Sequence, residues 1–205
     1  MAYIDKTMFE VTVSNSLRNQ TQNVPGKFGT GTGESFVGAD CSAGLLCVQN
    51  GLLPLAGYEE FGMVNGNSWY MNAATSGTAG MLGDHTGIYA CNTYDVSKVT
   101  NGDLSYNLGA KTLGLGIPAG ERGDFTEIIV GEQYTFGAGN FSTAPGAGVS
   151  TGYATIANGL LVYSASAPAA GSGVYFQILR TTPVNEGTTY WGVGYVLKAL
   201  RAANA

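Results

Sequence analysis

Tyr153-Ala154-Thr155-Ile156-Ala157-Asn158-Gly159-Leu160-Leu161-Val162-Tyr163 reads as two short strands around a two-residue turn. Asn and Gly both tolerate positive φ, so Asn-Gly favours the type I′ turn, whose twist matches paired antiparallel strands. The same dipeptide recurs at Asn50-Gly51, Asn65-Gly66 and Asn101-Gly102. At Asn65-Gly66 the flanks Phe61 to Val64 and Ser68 to Met71 predict a second hairpin. A third is predicted from Phe125 to Phe136, with Gly131-Glu132 at its turn and Gly131 in the first central position.

Alternation extends the pattern outward. Phe9, Val11 and Val13 share one face of an N-terminal strand, and Val174, Phe176 and Ile178 share one near the C-terminus. Tyr190 to Leu200 reads as a final strand, or as a strand leading into a short helix. Ile88 to Asn92 reads as an interior strand. Helical signals are weak: Ser14 to Asn23 is polar and reads as a loop or one helical turn, Asp40 to Leu46 could start a short helix with Asp40 as its N-cap, and no stretch keeps apolar helical spacing over three turns. Gly26 to Gly33, Gly137 to Gly152 and Ser164 to Gly173 are rich in small residues and read as flexible loops. The expected fold is mainly β: antiparallel hairpins forming a barrel or sandwich-like core, with long Gly-rich loops and little helix. The chain 1–205 is read as one β-rich unit. The composition shift at 99–124 would, if it were a boundary, divide it into 1–98 and 125–205.

Composition narrows the function. Charged residues are 11% of the chain, against roughly 25% in ordinary domains, and glycine supplies 32 of 205 positions. Free soluble proteins carry abundant surface charge. A surface of Gly, Ala, Ser, Thr and Asn suits a protein whose faces are covered by neighbours. The formal net charge is −5 and the nine Lys and Arg are scattered, so nucleic acid, which demands a basic patch, is not an expected partner. No apolar run approaches the roughly 20 residues of a membrane helix. The start, Met1 to Lys6, has neither a basic nor an apolar region of a signal peptide. With three cysteines, Cys41, Cys47 and Cys91, this fits synthesis and folding in a reducing cytosol.

No catalytic, cofactor or metal constellation survives inspection, so the chain is read as a non-enzyme without cofactor. Gly148-Val149-Ser150-Thr151-Gly152 matches G-x-S-x-G, but the elbow needs a buried strand before Ser150 and a helix after it. Here the flanks are Gly and Ala, and the single histidine, His85, lies upstream. Triads occur in other chain orders, yet a flexible loop explains the stretch. Cys41, Cys47, His85 and Cys91 could be ligands of a Cys3His zinc site. Structural zinc sites favour tight C-x2–4-C knuckles, whereas both pairs here are separated by five residues, and buried cysteine is common as a small hydrophobe. Gly29-Thr30-Gly31-Thr32-Gly33-Glu34 lacks the G-K-[ST] ending of a phosphate loop. Glu59-Glu60 reads as solvated charge, not a glycosidase pair. The sequons at Asn19 and Asn140 matter only in a secreted chain. Trp69, Tyr70, Tyr89, Tyr94, Tyr190, Trp191 and Tyr195 could form a glycan platform, although strand aromatics are more often core or interface anchors.

Three stretches resemble virion proteins of tailed bacteriophages: Gly38-Ala39-Asp40-Cys41-Ser42-Ala43-Gly44-Leu45-Leu46-Cys47, Ile88-Tyr89-Ala90-Cys91-Asn92-Thr93-Tyr94-Asp95-Val96, and Leu115-Gly116-Ile117-Pro118-Ala119-Gly120-Glu121-Arg122-Gly123-Asp124-Phe125. The resemblance spans Gly38 to about Phe141 and carries no functional motif. It implies a head decoration, or cement, protein: β-rich, often trimeric, made in the host cytoplasm, and seated on the outer lattice of the major capsid protein. Two other readings stay open, a tail or head-fibre component and a glycan-binding adhesin module.

Overall fold

The computed structural model describes residues 9–13, 23–54, 64–78, 85–92, 99–101, 104–106, 116–146, 148–186 and 189–202. In chain order the strands are β1 (Phe9–Val13), β2 (Asn23–Thr30), β3 (Val37–Gly38), β4 (Leu46–Pro54), β5 (Val64–Ala73), β6 (His85–Cys91), β7 (Val99–Asn101), β8 (Leu104–Tyr106), β9 (Gly123–Ile129), β10 (Gln133–Gly137), β11 (Phe141–Thr143), β12 (Gly152–Ala157), β13 (Leu160–Ser164), β14 (Val174–Glu186) and β15 (Thr189–Arg201). Two single 3-10 turns, Gly33–Ser35 and Ala138–Asn140, are the helical pieces among the described residues. The fold is mainly β, as the turn and alternation signals predict.

Strands β2, β5, β4, β6 and β9 close into a five-stranded barrel, because β2 pairs with β9 as well as with β5. Strand β3 pairs onto the outer part of β2. The second layer is a curled seven-stranded sheet in the order β1-β10-β15-β14-β12-β13-β11. Strands β7 and β8 form a separate two-stranded ribbon. Strand membership does not follow the chain. N-terminal β1 lies beside β10, while β9, from the second half of the sequence, completes the barrel.

Side-chain alternation on β4, β6 and β9 explains how the layers join. Leu46, Ile88, Ala90 and Ile128 belong to one apolar cluster together with Tyr134, Phe136, Ile156, Leu161, Phe176, Ile178 and Leu197 of the curled sheet. Their neighbours Cys47, Tyr89, Cys91 and Phe125 belong to another cluster, inside the barrel. These strands are therefore buried on both faces, and the barrel wall is one side of the main core. Within that core Phe136 meets Phe9 at a ring separation of 5.3 Å and Phe176 edge-on at 5.6 Å. Val174, Phe176 and Ile178 are all buried on it, as their spacing predicts.

The Asn158-Gly159 hairpin forms as read, with β12 paired to β13 and φ of 50° and 79° in the two turn residues. The turn also does something that its sequence does not announce. Gly159 N–H donates to Ala74 O at 2.7 Å, and Gly159 O accepts from Leu46 N–H at 2.8 Å. A hairpin of the curled sheet is thus pinned by its tip to the barrel. A Cβ at Gly159 would lie 3.0 Å from the Leu45 side chain in a left-handed backbone, so glycine is required twice over.

Other expectations change. Asn65-Gly66 lies inside continuous strand β5 and makes no turn. Asn50-Gly51 forms a bulge in β4: Gln49 pairs with Met71 and Leu52 with Trp69, so two residues oppose Tyr70 alone. The chain does turn at Val130-Gly131, with Gly131 in the second central position at φ 95°. The flanking strands are not a hairpin, because β9 stays in the barrel and β10 enters the curled sheet. Tyr190 to Leu200 is strand throughout, within β15. Asp40 caps no helix; its Oδ1 accepts from Ala119 N–H at 2.8 Å. Gly26 to Thr30 is strand, part of β2, where Gly29 has no room for a Cβ against Val37 O and the Phe36 ring. Ser14 to Gln22 lies outside the described residues.

Phe176→Ala removes the ring at the centre of the shared core and is expected to cost about 3–5 kcal/mol in denaturant unfolding. Val37→Ala, at a position 65% exposed, is expected to stay within about 0.5 kcal/mol of the parent.

Candidate functional site

The densest collection of chemically capable side chains is the barrel interior. Cys41 precedes β4, Cys47 lies on β4 and Cys91 ends β6. Strand pairing sets Cys47 opposite Tyr89, with Cys91 two residues further along the same face. An isolated bridge between Cys41 and Ile117 brings the third cysteine against them. All three are fully buried, packed with Met71, Tyr89, Ile117 and Phe125. The structure therefore gathers residues whose sequence spacing looked too loose for a site.

The three thiols pack together in the barrel core. Cys91 Sγ donates towards Cys41 O at 3.6 Å, and Cys47 Sγ towards Leu45 O at 3.5 Å. Burial, and then the neighbouring Cys47 thiol, pushes the Cys41 thiol far above its ordinary range. The neighbouring Cys41 thiol, and then burial, does the same to Cys91. Nucleophiles and metal ligands are thiolates, so this environment favours the inert form. Among the described residues no group of three or more His, Cys, Asp or Glu is arranged to hold a metal ion. The His85 side chain lies outside the described residues.

Beside the thiols stand Tyr89 and Glu127, cross-strand neighbours on β6 and β9 and both buried. Burial first, and then the charge of Glu127, raises the Tyr89 phenol to about 12. A second polar group closes the turn between the layers. Tyr134 Oη accepts from Ile129 N–H at 2.7 Å and donates to Glu132 Oε2 at 2.9 Å. Burial above all pushes this phenol upward as well. Asn140 makes a third tie: its Oδ1 accepts from Gly137 N–H at 3.0 Å, and its Nδ2 donates to Ala43 O at 2.6 Å. These polar groups hold turns and the two layers together.

The remaining candidates are dispersed. Ser150 is exposed on the loop between β11 and β12, with no strand immediately before it and no helix after it. The Gly29 to Glu34 stretch is the end of β2 and a single 3-10 turn. Asn140 is buried and occupied at both ends of its amide, which removes it as a glycan acceptor. Tyr89 lies in the barrel core, Trp69 packs partly buried against it, and Tyr195 belongs to the shared core. Tyr70 is buried under Phe36, with ring centroids 4.7 Å apart. These four aromatics therefore form no exposed platform. Tyr94, Glu59, Glu60 and Asn19, and the side chains of Tyr190 and Trp191, lie outside the described residues. Sequence reading missed the Tyr134–Glu132 latch, although a Glu beside a Gly turn and a Tyr two residues on was a visible signal. No helix among the described residues is long and apolar enough to cross a membrane. No family model, no curated protein and no solved structure matches the chain.

Two outcomes are expected. A small thiol reagent should leave all three cysteines unmodified in the folded protein and label all three in denaturant; rapid native labelling of Cys41 or Cys91 would contradict the core assignment. The folded state should also weaken in alkali. It holds the Tyr89 phenol neutral up to about 12 while the unfolded chain releases that proton from its ordinary value of 10.0. The stabilisation is complete below pH 10 and is lost as pH rises towards 12. Urea unfolding across this window measures it, and Tyr89→Phe should flatten the slope.

Proposed function

We propose that the protein is a virion structural protein, a head decoration protein of a tailed bacteriophage that binds the outer capsid lattice and stabilises it. One observation carries the reading. The three stretches that resemble phage virion proteins are far apart in sequence, yet six of the seven buried residues of the barrel cluster come from them: Cys41, Cys47, Tyr89, Cys91, Ile117 and Phe125. Met71 is the seventh. The same stretches also supply Leu46, Ile88 and Ala90 to the core shared with the curled sheet.

Chemistry supports the same direction. Cys41, Cys91 and Tyr89, gathered in the barrel, are held in their neutral forms. The charged fraction of 11% suits faces covered by protein neighbours, and an acidic chain suits a position away from packaged genome. The partner is the major capsid protein, and the protein acts as an oligomer, with a trimer matching a three-fold lattice position. Each contact can be weak, because ordering Gly-rich loops costs roughly 1–2 kcal/mol per backbone residue fixed. Strength then comes from repetition.

Particles lacking the protein are expected to assemble and then to burst at lower temperature, or in lower salt, where packaged DNA repels itself more strongly. Added purified protein should restore resistance. Depleted particles as robust as complete ones would end the cement role. Fractionation of the protein with tails would favour the tail or head-fibre reading, and selective glycan retention without capsid binding the adhesin reading.

A further inference from the structure

Gln49-Asn50-Gly51-Leu52 and Ala157-Asn158-Gly159-Leu160 share the tripeptide Asn-Gly-Leu. Their intrinsic chemistry is therefore nearly the same, and any difference in reactivity comes from the fold. Asn-Gly is the sequence in which a backbone amide most easily attacks the preceding side chain, since glycine offers no side chain to hinder it.

Asn50 and Asn158 are both exposed, but the glycines that follow them differ. Gly159 is buried, its N–H donates to Ala74 O at 2.7 Å, and its carbonyl accepts from Leu46 at 2.8 Å. The nitrogen that would attack Asn158 is thus engaged, and the turn is clamped between two strands. Asn50 and Gly51 are both exposed. They occupy the β4 bulge, between the Gln49–Met71 and Leu52–Trp69 pairs, so neither has a register partner on β5. On the other side β4 pairs with β6 only from Leu46 to Val48. Gly51 has φ 96°, and a Cβ there would find only Thr32 within 4 Å, at 3.7 Å. The side-chain direction at Gly51 is therefore open, whereas at Gly159 it is closed by Leu45 and Leu46.

We infer that Asn50 is a site of spontaneous deamidation in the folded protein and that Asn158 is protected from it. The Gly51 nitrogen, after giving its proton to solvent base, bonds to Cγ of Asn50, and the Cγ–Nδ2 bond breaks to release ammonia. Water opens the resulting succinimide at either carbonyl, giving aspartate or isoaspartate. The sum is one asparagine plus one water going to one acid plus one ammonia, with no oxidant or cofactor. The product adds one negative charge to a chain whose formal charge is −5. As isoaspartate it also lengthens the main chain by one carbon at the bulge, where an irregular strand absorbs it. The inference does not depend on the proposed virion role.

The test is incubation of the full chain at mildly alkaline pH, with site-resolved peptide mass mapping and isoaspartyl methyltransferase labelling of the separated peptides. Conversion at Asn50 is expected to exceed that at Asn158 by about tenfold, the scale set by an intact, buried backbone hydrogen bond. The same mixture in concentrated urea should bring the two rates together. Amide hydrogen exchange is the second measure, with Gly51 exchanging faster than Gly159. Equal conversion in the folded protein, a faster Asn158, or a more protected Gly51 amide would overturn the assignment.

Discussion

The rest of the structure depends on one apolar layer that two sheets must share. The outward side chains of β4, β6 and β9 are Leu46, Ile88, Ala90 and Ile128, and the curled sheet supplies the other wall with residues such as Phe136, Phe176 and Leu197. Neither sheet could bury those side chains alone. Closing β2 onto β9 disposes of the barrel's own edges, but leaves its β4–β6–β9 wall apolar outside. The curled sheet, in turn, has a concave aromatic face that needs a lid. Each layer is the other's solvent shield.

Polar ties fix the registration of that contact. The Gly159 main chain bonds to Leu46 and Ala74, Asn140 reaches Ala43, and Tyr134 and Glu132 secure the turn where the chain leaves β9 for β10. Each satisfies backbone groups that would otherwise be buried without partners, which is the costly alternative. The barrel interior holds three thiols, Met71, Ile117 and Phe125, and a Tyr89 phenol kept protonated beside buried Glu127.

Local chemistry was legible in the sequence, and long-range pairing was not. Asn158-Gly159 declared its hairpin because turn preference and flanking alternation agree. Asn65-Gly66 carried the same dipeptide, but β5 continues through it to keep pairing with β4, as far as Val64 opposite Pro54. The turn at Val130-Gly131 was visible, while the departure of its two strands into different sheets was decided by partners far away in sequence, such as Cys91 for Phe125 and Leu197 for Tyr134. The convergence of the cysteines had the same origin. Spacing along the chain says little when Cys41, Cys47 and Cys91 are aligned by β4–β6 pairing and the Ile117 bridge. What was readable was the character of Ile88 to Cys91: an unbroken apolar run, which is the signature of a strand buried on both faces.

The proposed virion role rests on a resemblance whose residues line both the barrel core and the shared layer, and it leaves partner contacts to the surfaces around them. Cryo-electron microscopy of the native particle addresses this most directly. The account predicts a closed barrel packed on a curled sheet, resolved as repeated density on the outside of the head and touching more than one capsid subunit. Heads with no such density, or the same fold found only in the tail, would contradict it.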